Sequence, residues 1–269
     1  MGKILQSLAA VALCGSSLFA DTLTVDSLVT ISGEEVYNNG TNTSSTAVIK
    51  SGGELAIESA GVLELLNEEG SSNSRLQLSG GKLVVDGKLK TNAIFVQVGT
   101  NEITINSADS IRKSNGTLSE LMFISGSLTV NFNASHDFFV WDTRASGLKL
   151  VFAENTSTLF DSIKYNSTDA TVVLQDFGST NSIAFNTTAY GTTKTYDTSL
   201  DGNKLTFSSE TVGKTFTLTF VDENGNALDL NLNNSGTIAT LTAAVPEPAE
   251  WAAIFGAIAL VAAIYRRRK

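Results

Sequence analysis

Between residues 21 and 243, apolar and polar residues alternate in short segments, and the segments end at Gly, Ser or Asn. A period of two places every second side chain on one face of an extended strand. Leu55-Ala56-Ile57, Leu63-Glu64-Leu65, Leu76-Gln77-Leu78, Leu83-Val84-Val85 and Ile103-Thr104-Ile105 follow the pattern, as do the longer Leu128–Phe132, Leu148–Phe152 and Phe216–Phe220. No sustained period of 3.6 runs through this region. Residues 58–69 admit a helical turn or two, against which Gly61 stands. A chain written this way buries its apolar side chains by packing sheets, so the fold class is all-β.

Proline usage narrows the choice. The chain has two prolines, Pro246 and Pro248, so the body before them has none. A loop-rich domain tolerates proline. A backbone whose N–H groups are nearly all wanted by sheet ladders does not. A weak internal repeat points the same way. Ser51-Gly52-Gly53-Glu54-Leu55-Ala56-Ile57 returns as Ser79-Gly80-Gly81-Lys82-Leu83-Val84-Val85, with shorter echoes at Gly61-Val62-Leu63 and Ser125–Val130. Short strands reached through Gly and Asn turns suit a β-helix or solenoid-like body, although the period is unsteady. Toward the end, Asp201-Gly202-Asn203 and Asp222–Asn226 read as hairpin turns, the second joining strands within Phe216–Leu232. The expectation is a β-helix with an antiparallel C-terminal end; the alternative is a β-sandwich.

The single cysteine, Cys14, lies near the N-terminus, which removes disulfides and thiolate chemistry from the body. The chain carries a net charge of −9, while residues 21–245 hold 13 Lys+Arg against 25 Asp+Glu, or −12. An acidic body without a basic patch is a poor partner for nucleic acid, whose phosphates dominate affinity.

Both ends read as processing signals. In residues 1–20 a positive Lys3 precedes the apolar stretch Ile4–Leu13, and the small Ala20 stands before Asp21. That is the layout of a secretory signal peptide. Leu13 before Cys14 is too large for a lipoprotein signal. At the other end, Trp251–Tyr265 is 15 residues without a charge, roughly 22 Å of helix against a bilayer core of about 30 Å. Trp251 and Tyr265 stand where aromatic belts form, and Arg266, Arg267, Arg268 and Lys269 make a stop-transfer cluster. The positive-inside rule puts Lys269 in the cytoplasm and the body across the membrane.

The order Pro246-Glu247-Pro248, an apolar span, then Arg-Arg-Arg-Lys at the end resembles the PEP-CTERM sorting domain over residues 245–269. The resemblance implies a bacterial cell-surface protein and an integral-membrane exosortase that reads the tail and removes it. The tripeptide is then a recognition element, and Glu247 does no chemistry.

Candidate chemistry is sparse. His136 is the only histidine. Its neighbour Asp137 points to the opposite face if both lie on a strand, and no Gly-x-Ser-x-Gly elbow is present. One histidine cannot build a zinc site. Asp222, Asn224 and Asn226 have the odd spacing of a calcium loop, but Ala227 and Asn233 stand where an EF-hand needs Gly and Glu. The acid pairs Glu34-Glu35 and Glu68-Glu69 read as solvated loop residues, although paired carboxylates serve glycoside hydrolysis. Trp141 is more often core than a platform for a sugar ring.

The sequence therefore points to a signal peptide at 1–20, an all-β surface domain at 21–243 and a sorting signal at 244–269 with a transmembrane helix about 251–265. The expected function is that of a structural or adhesive surface or exopolysaccharide-matrix protein, not an enzyme, with no cofactor or metal. Its partners are the translocon, exosortase, the membrane before processing, and exopolysaccharide. An inner-membrane intermediate with a cytoplasmic C-terminus precedes the surface form. The alternatives are a polysaccharide-acting lyase or hydrolase on a β-helix, which needs three or more acids gathered with His136, Lys or Arg in one groove, and a carbohydrate-binding module.

Overall fold

The structure, a computed structural model, describes residues 17–19, 22–38, 47–66, 74–164 and 166–244. The sorting residues Pro246, Glu247, Pro248, Arg266, Arg267, Arg268 and Lys269, and the span 251–265, lie outside the described residues, as does Glu68-Glu69. Among the described residues there is no helix, and so none long and apolar enough to cross a membrane.

The strands come in threes. Among the described residues the first strand is β1 (Ser17–Phe19), followed by a first turn of β2 (Leu23–Val25), β3 (Leu28–Ile31) and β4 (Glu34–Asn38). The next turns are β5 (Ala47–Lys50), β6 (Glu54–Ile57), β7 (Val62–Leu66); β8 (Arg75–Ser79), β9 (Lys82–Val85), β10 (Lys88–Lys90); and β11 (Ala93–Val98), β12 (Thr100–Ile105), β13 (Ile111–Arg112). After them come β14 (Glu120–Phe123), β15 (Ser127–Phe132), β16 (Trp141–Thr143), β17 (Leu148–Phe152), β18 (Ser157–Phe160), β19 (Ala170–Gln175) and β20 (Ser182–Asn186).

Each strand pairs in parallel with the strand one turn before and one turn after. The first face runs β2-β5-β8-β11-β14-β16, and the second runs β3-β6-β9-β12-β15-β17-β19. A third face is β1-β4-β7-β10-β13 in the early turns and β18-β20 later. The chain thus winds coil upon coil, consistent with a β-helix or solenoid-like body. An antiparallel sandwich does not produce such ladders. The echo of Glu54-Leu55-Ala56-Ile57 in Lys82-Leu83-Val84-Val85 is one coil, because these residues are ladder partners on β6 and β9. The period is unsteady because the coils differ in length. Stacked partners on the second face are separated by 26 residues (Leu28 to Glu54), 28 (Glu54 to Lys82), 20 (Lys82 to Glu102), 27 (Thr100 to Ser127) and 20 (Leu128 to Leu148).

Inside, the alternate residues of all three faces meet. Leu55, Ile57, Leu83, Val85, Ile103, Ile105, Leu128 and Val130 are fully buried, each contributing about 2–3 kcal/mol of transfer free energy. Later coils widen the filling to aromatics. Phe132 stacks on Phe152 with centroids 5.1 Å apart, and Phe138 on Phe160 at 5.9 Å. In a parallel ladder identical positions fall one above another, so like residues stack.

The corner before the second face depends on glycine. Gly80, Gly99, Gly126 and Gly147 all have positive φ, between 77° and 105°. A Cβ on Gly99 would lie 2.8 Å from the Cα of Gly80, and one on Gly126 would lie 2.5 Å from the carbonyl oxygen of Gly99. Buried Asn101 ties this corner together. Its Oδ1 accepts from the N–H of Gly80 at 2.7 Å, and its Nδ2 donates to the carbonyls of Val98, Gly99 and Ser127 at 3.0–3.1 Å.

The C-terminal end changes to antiparallel pairing. β21 (Asp197–Asp201), β22 (Lys204–Ser209) and β23 (Lys214–Val221) form a meander joined to β19, and β24 (Leu230–Ser235) and β25 (Ile238–Ala243) form a hairpin joined to β20. Asp201-Gly202-Asn203 is the expected hairpin turn between β21 and β22. Asp222–Asn226 is a turn too, closed by the Val221–Ala227 bridge, but it does not join a hairpin. The chain leaves β23 on the second face and enters β24 on the third, where β25 is its partner. Ser17–Phe19, expected within the leader, pairs with Glu35-Val36-Tyr37 as the outer strand of the third face.

Candidate functional site

The first face carries an inward column of Leu121, Trp141, Ile163 and Ala189, in parallel register. Side chains one residue away on the same backbone point outward. Glu120, Asp142, Lys164 and Tyr190 therefore converge on the outer surface of successive coils. Arg144 donates to Asp142 through both arms of a fork, Nε to Oδ1 and Nη2 to Oδ2, each at 2.8 Å. Lys164 Nζ lies 3.6 Å from Glu120 Oε2 and 3.9 Å from Asp142 Oδ2. The Tyr190 hydroxyl donates to Glu120 Oε1 at 3.3 Å. Its pKa is raised, first by burial and then by the charge of Glu120. Two carboxylates thus face two cations, and both acids are held. That balance offsets the desolvation of a fully buried Asp142 side chain.

Beside this cluster lies an open cleft of about 450 Å³. Phe139, Asp161, Ser162, Asn186, Thr188 and Tyr190 line it, and the turn at 191–193 closes one side. The rings of Phe139 and Tyr190 meet edge to face at 5.7 Å. Each is braced by an ammonium group, Lys113 at 4.5 Å from the Phe139 centroid and Lys164 at 4.8 Å from that of Tyr190. Asn186 Nδ2 donates to Asp161 Oδ1 at 3.2 Å. Asn186 Oδ1 accepts from Thr188 N at 3.1 Å and Thr188 Oγ1 at 2.8 Å. The amide is therefore fixed in one orientation.

The residues singled out by sequence lie elsewhere. His136 is 1% exposed, on the core side, with its ring 4.9 Å from Phe138. Neither ring nitrogen has a hydrogen-bond partner among the described residues. Burial, helped by the charge of Arg112, lowers its pKa to about 3, so it is neutral. Asp137 turns away and accepts from Leu159 N at 2.9 Å. Trp141 is 2% exposed and meets Phe160 and Phe185 edge to face at 4.7 and 5.2 Å, so it is core and cannot present a face to a sugar. Glu34 is exposed, but its neighbour Glu35 is buried and accepts from the Tyr37 hydroxyl, contrary to the solvated-loop expectation for the pair. Burial raises the pKa of Glu35. Both carboxylate oxygens of Asp222 accept bonds from its own turn, from Asn224 N, Asn226 N and Asn226 Nδ2 at 2.8–2.9 Å. Among the described residues no three His, Cys, Asp or Glu gather as a metal site.

The cleft leaves no local mark in the sequence because its parts are 22–25 residues apart, Phe139 to Asp161 to Asn186. That distance is one coil, and a known coil length was the signal needed to align them. No protein-family model matches this chain, and no curated protein or solved structure is significantly similar to it.

Proposed function

We propose that this is an exported bacterial surface or exopolysaccharide-matrix protein of structural or adhesive type, whose body is a β-helix delivered through a PEP-CTERM signal. The observation that carries the reading is a leader and a Pro246-Glu247-Pro248 tail flanking a proline-free body of stacked parallel strands. Stacked coils make a stiff unit, each coil burying its apolar face against the next. The outer surface supports a structural role because its polar groups bond along the stack. Asn131 donates to Glu102 and Thr104 on the coil before, at 2.9 and 3.0 Å. Asn133 donates to Asn106 at 2.6 Å, and Asn106 to Asp86 in turn.

A non-enzymatic role is supported by the state of the acids. Glu120 and Asp142 are held by Lys164, Arg144 and Tyr190, and His136 faces the core. A general acid–base pair needs groups free to exchange protons with a substrate. The net charge of the body, −12 from residues 21–245, argues against nucleic acid as a partner. On this reading a cut after Ala20 removes β1 and leaves β4 as the edge of the third face.

Replacing Pro246-Glu247-Pro248 with three alanines tests the sorting step. The uncut chain then accumulates in the inner membrane. Surface delivery at the normal mature size by this variant refutes the exosortase reading.

A further inference from the structure

We propose that the cleft lined by Phe139, Tyr190 and the Asp161–Asn186 pair binds a neutral polysaccharide, with the aromatic carbon of the two touching rings as an apolar wall and the Asp161–Asn186 pair reading hydroxyl groups. The inference rests on the surface-protein reading, and it names the ligand class and the place of contact. Four features of the cleft point to it.

The volume, about 450 Å³, falls in the range of small-ligand sites. Its open shape suits a segment of a polymer that enters and leaves at the ends. Second, the lining pairs aromatic carbon with planar polar groups. A pyranose ring has an apolar C–H face and an equatorial belt of hydroxyls, so it wants a ring beneath it and donors and acceptors at its edge. Third, those edge groups are already oriented. Asn186 spends one amide hydrogen on Asp161 and its oxygen on Thr188, which leaves the second amide hydrogen as a donor. Asp161 spends Oδ1 on Asn186, and among the described residues Oδ2 is left as an acceptor. A donor and an acceptor side by side match two neighbouring hydroxyls, and fixed rotamers reduce the entropy lost on binding.

Charge selects the class. Among the described residues that line the cleft, one side chain is ionic, Asp161, which is an acid. The cations around it are engaged, Lys164 with Glu120, Asp142 and the Tyr190 ring, Lys113 with the Phe139 ring, and Lys194, beside the lining Thr193, with the Thr211 carbonyl. A polyuronate would bring its carboxylates to Asp161 with no cation in the lining to receive them. A neutral chain meets no such penalty.

The test uses exopolysaccharide from the producing cells, divided by anion exchange into neutral and acidic fractions, and the full-length protein in detergent. Affinity electrophoresis through gels containing each fraction reads retardation. Retardation by the neutral fraction is expected, with apparent affinity falling at least tenfold in Phe139→Ala and in Asn186→Ala. Tyr190→Phe keeps the ring and retains binding within a few-fold. Thr193→Trp, at the exposed rim, fills the cleft without touching the core and also abolishes retardation, which guards against loss of fold in the other variants. Retardation by the acidic fraction alone, none by either, or binding indifferent to Phe139→Ala and Thr193→Trp overturns the proposal. A protein that reaches the surface yet fails this test refutes the cleft and leaves the sorting reading standing. One that binds but stays in the cytoplasm does the reverse.

Discussion

Phe160 and Phe185 stack with ring centroids 5.6 Å apart and planes 18° from parallel, one coil above the other at ladder-paired positions of β18 and β20. Trp141 closes on both from the side, and Phe207 meets Phe185 at 5.4 Å. This aromatic column joins the parallel coils to the antiparallel end, because Phe207 lies on β22. Phe185→Ala empties the centre of the junction. The expected loss is about 3–5 kcal/mol in urea unfolding, the usual scale for a buried phenylalanine. A loss under about 1 kcal/mol would mean that the two parts are not packed as one core.

His136 gives the fold a dependence on acid. Its pKa in the fold is about 3, against about 6.5 in an unfolded chain. Between these values the unfolded chain takes up a proton that the folded one refuses, so stability falls as pH drops from about 6.5 toward about 3. The full effect is on the order of 5 kcal/mol. His136→Phe removes the titrating ring and its two unpartnered nitrogens. That variant is expected to be as stable as the parent or more so at neutral pH, and to lose this part of the acid slope, in thermal unfolding followed across pH. An unchanged slope would place the imidazole in contact with solvent.

Gly87 and Gly116 separate two uses of glycine. A Cβ on Gly87 would lie 2.2 Å from the carbonyl oxygen of Glu58 and 2.3 Å from that of Gly61, both backbone atoms of the previous coil. Gly116 has φ of +82° and open space around it. Gly87→Ala therefore forces coils apart and costs about 3 kcal/mol or more. Gly116→Ala carries only left-handed strain, about 1–2 kcal/mol. Paired denaturation curves check the order, and equal losses would contradict close stacking of the coils at Gly61 and Gly87.

Much of the fold was legible in local pattern. Leu83-Val84-Val85 alternates because Leu83 and Val85 face the core while Val84 does not. The Ser-Gly-Gly echo at residues 51–53 and 79–81 was visible because one coil sits directly on the next there. Coil order was not legible. Asp222–Asn226 has the chemistry of a hairpin turn, yet the strands around it go to different sheets. Turn residues set local backbone angles, while strand partners are chosen by packing far away in sequence. The cleft was hidden for the same reason, because Phe139, Asp161 and Asn186 become neighbours only after three coils are stacked. Trp141 and His136 drew notice as rare residue types, and rarity says nothing of which side of a strand a residue faces.

On the proposed function, this body is delivered outside the cell and trimmed at both ends. Intact-mass measurement of the protein recovered from fractionated cells tests it most directly. The expected product is a surface or matrix form that begins near Asp21 and ends before Trp251. A full-length mass, recovered from the cytoplasm, would contradict it.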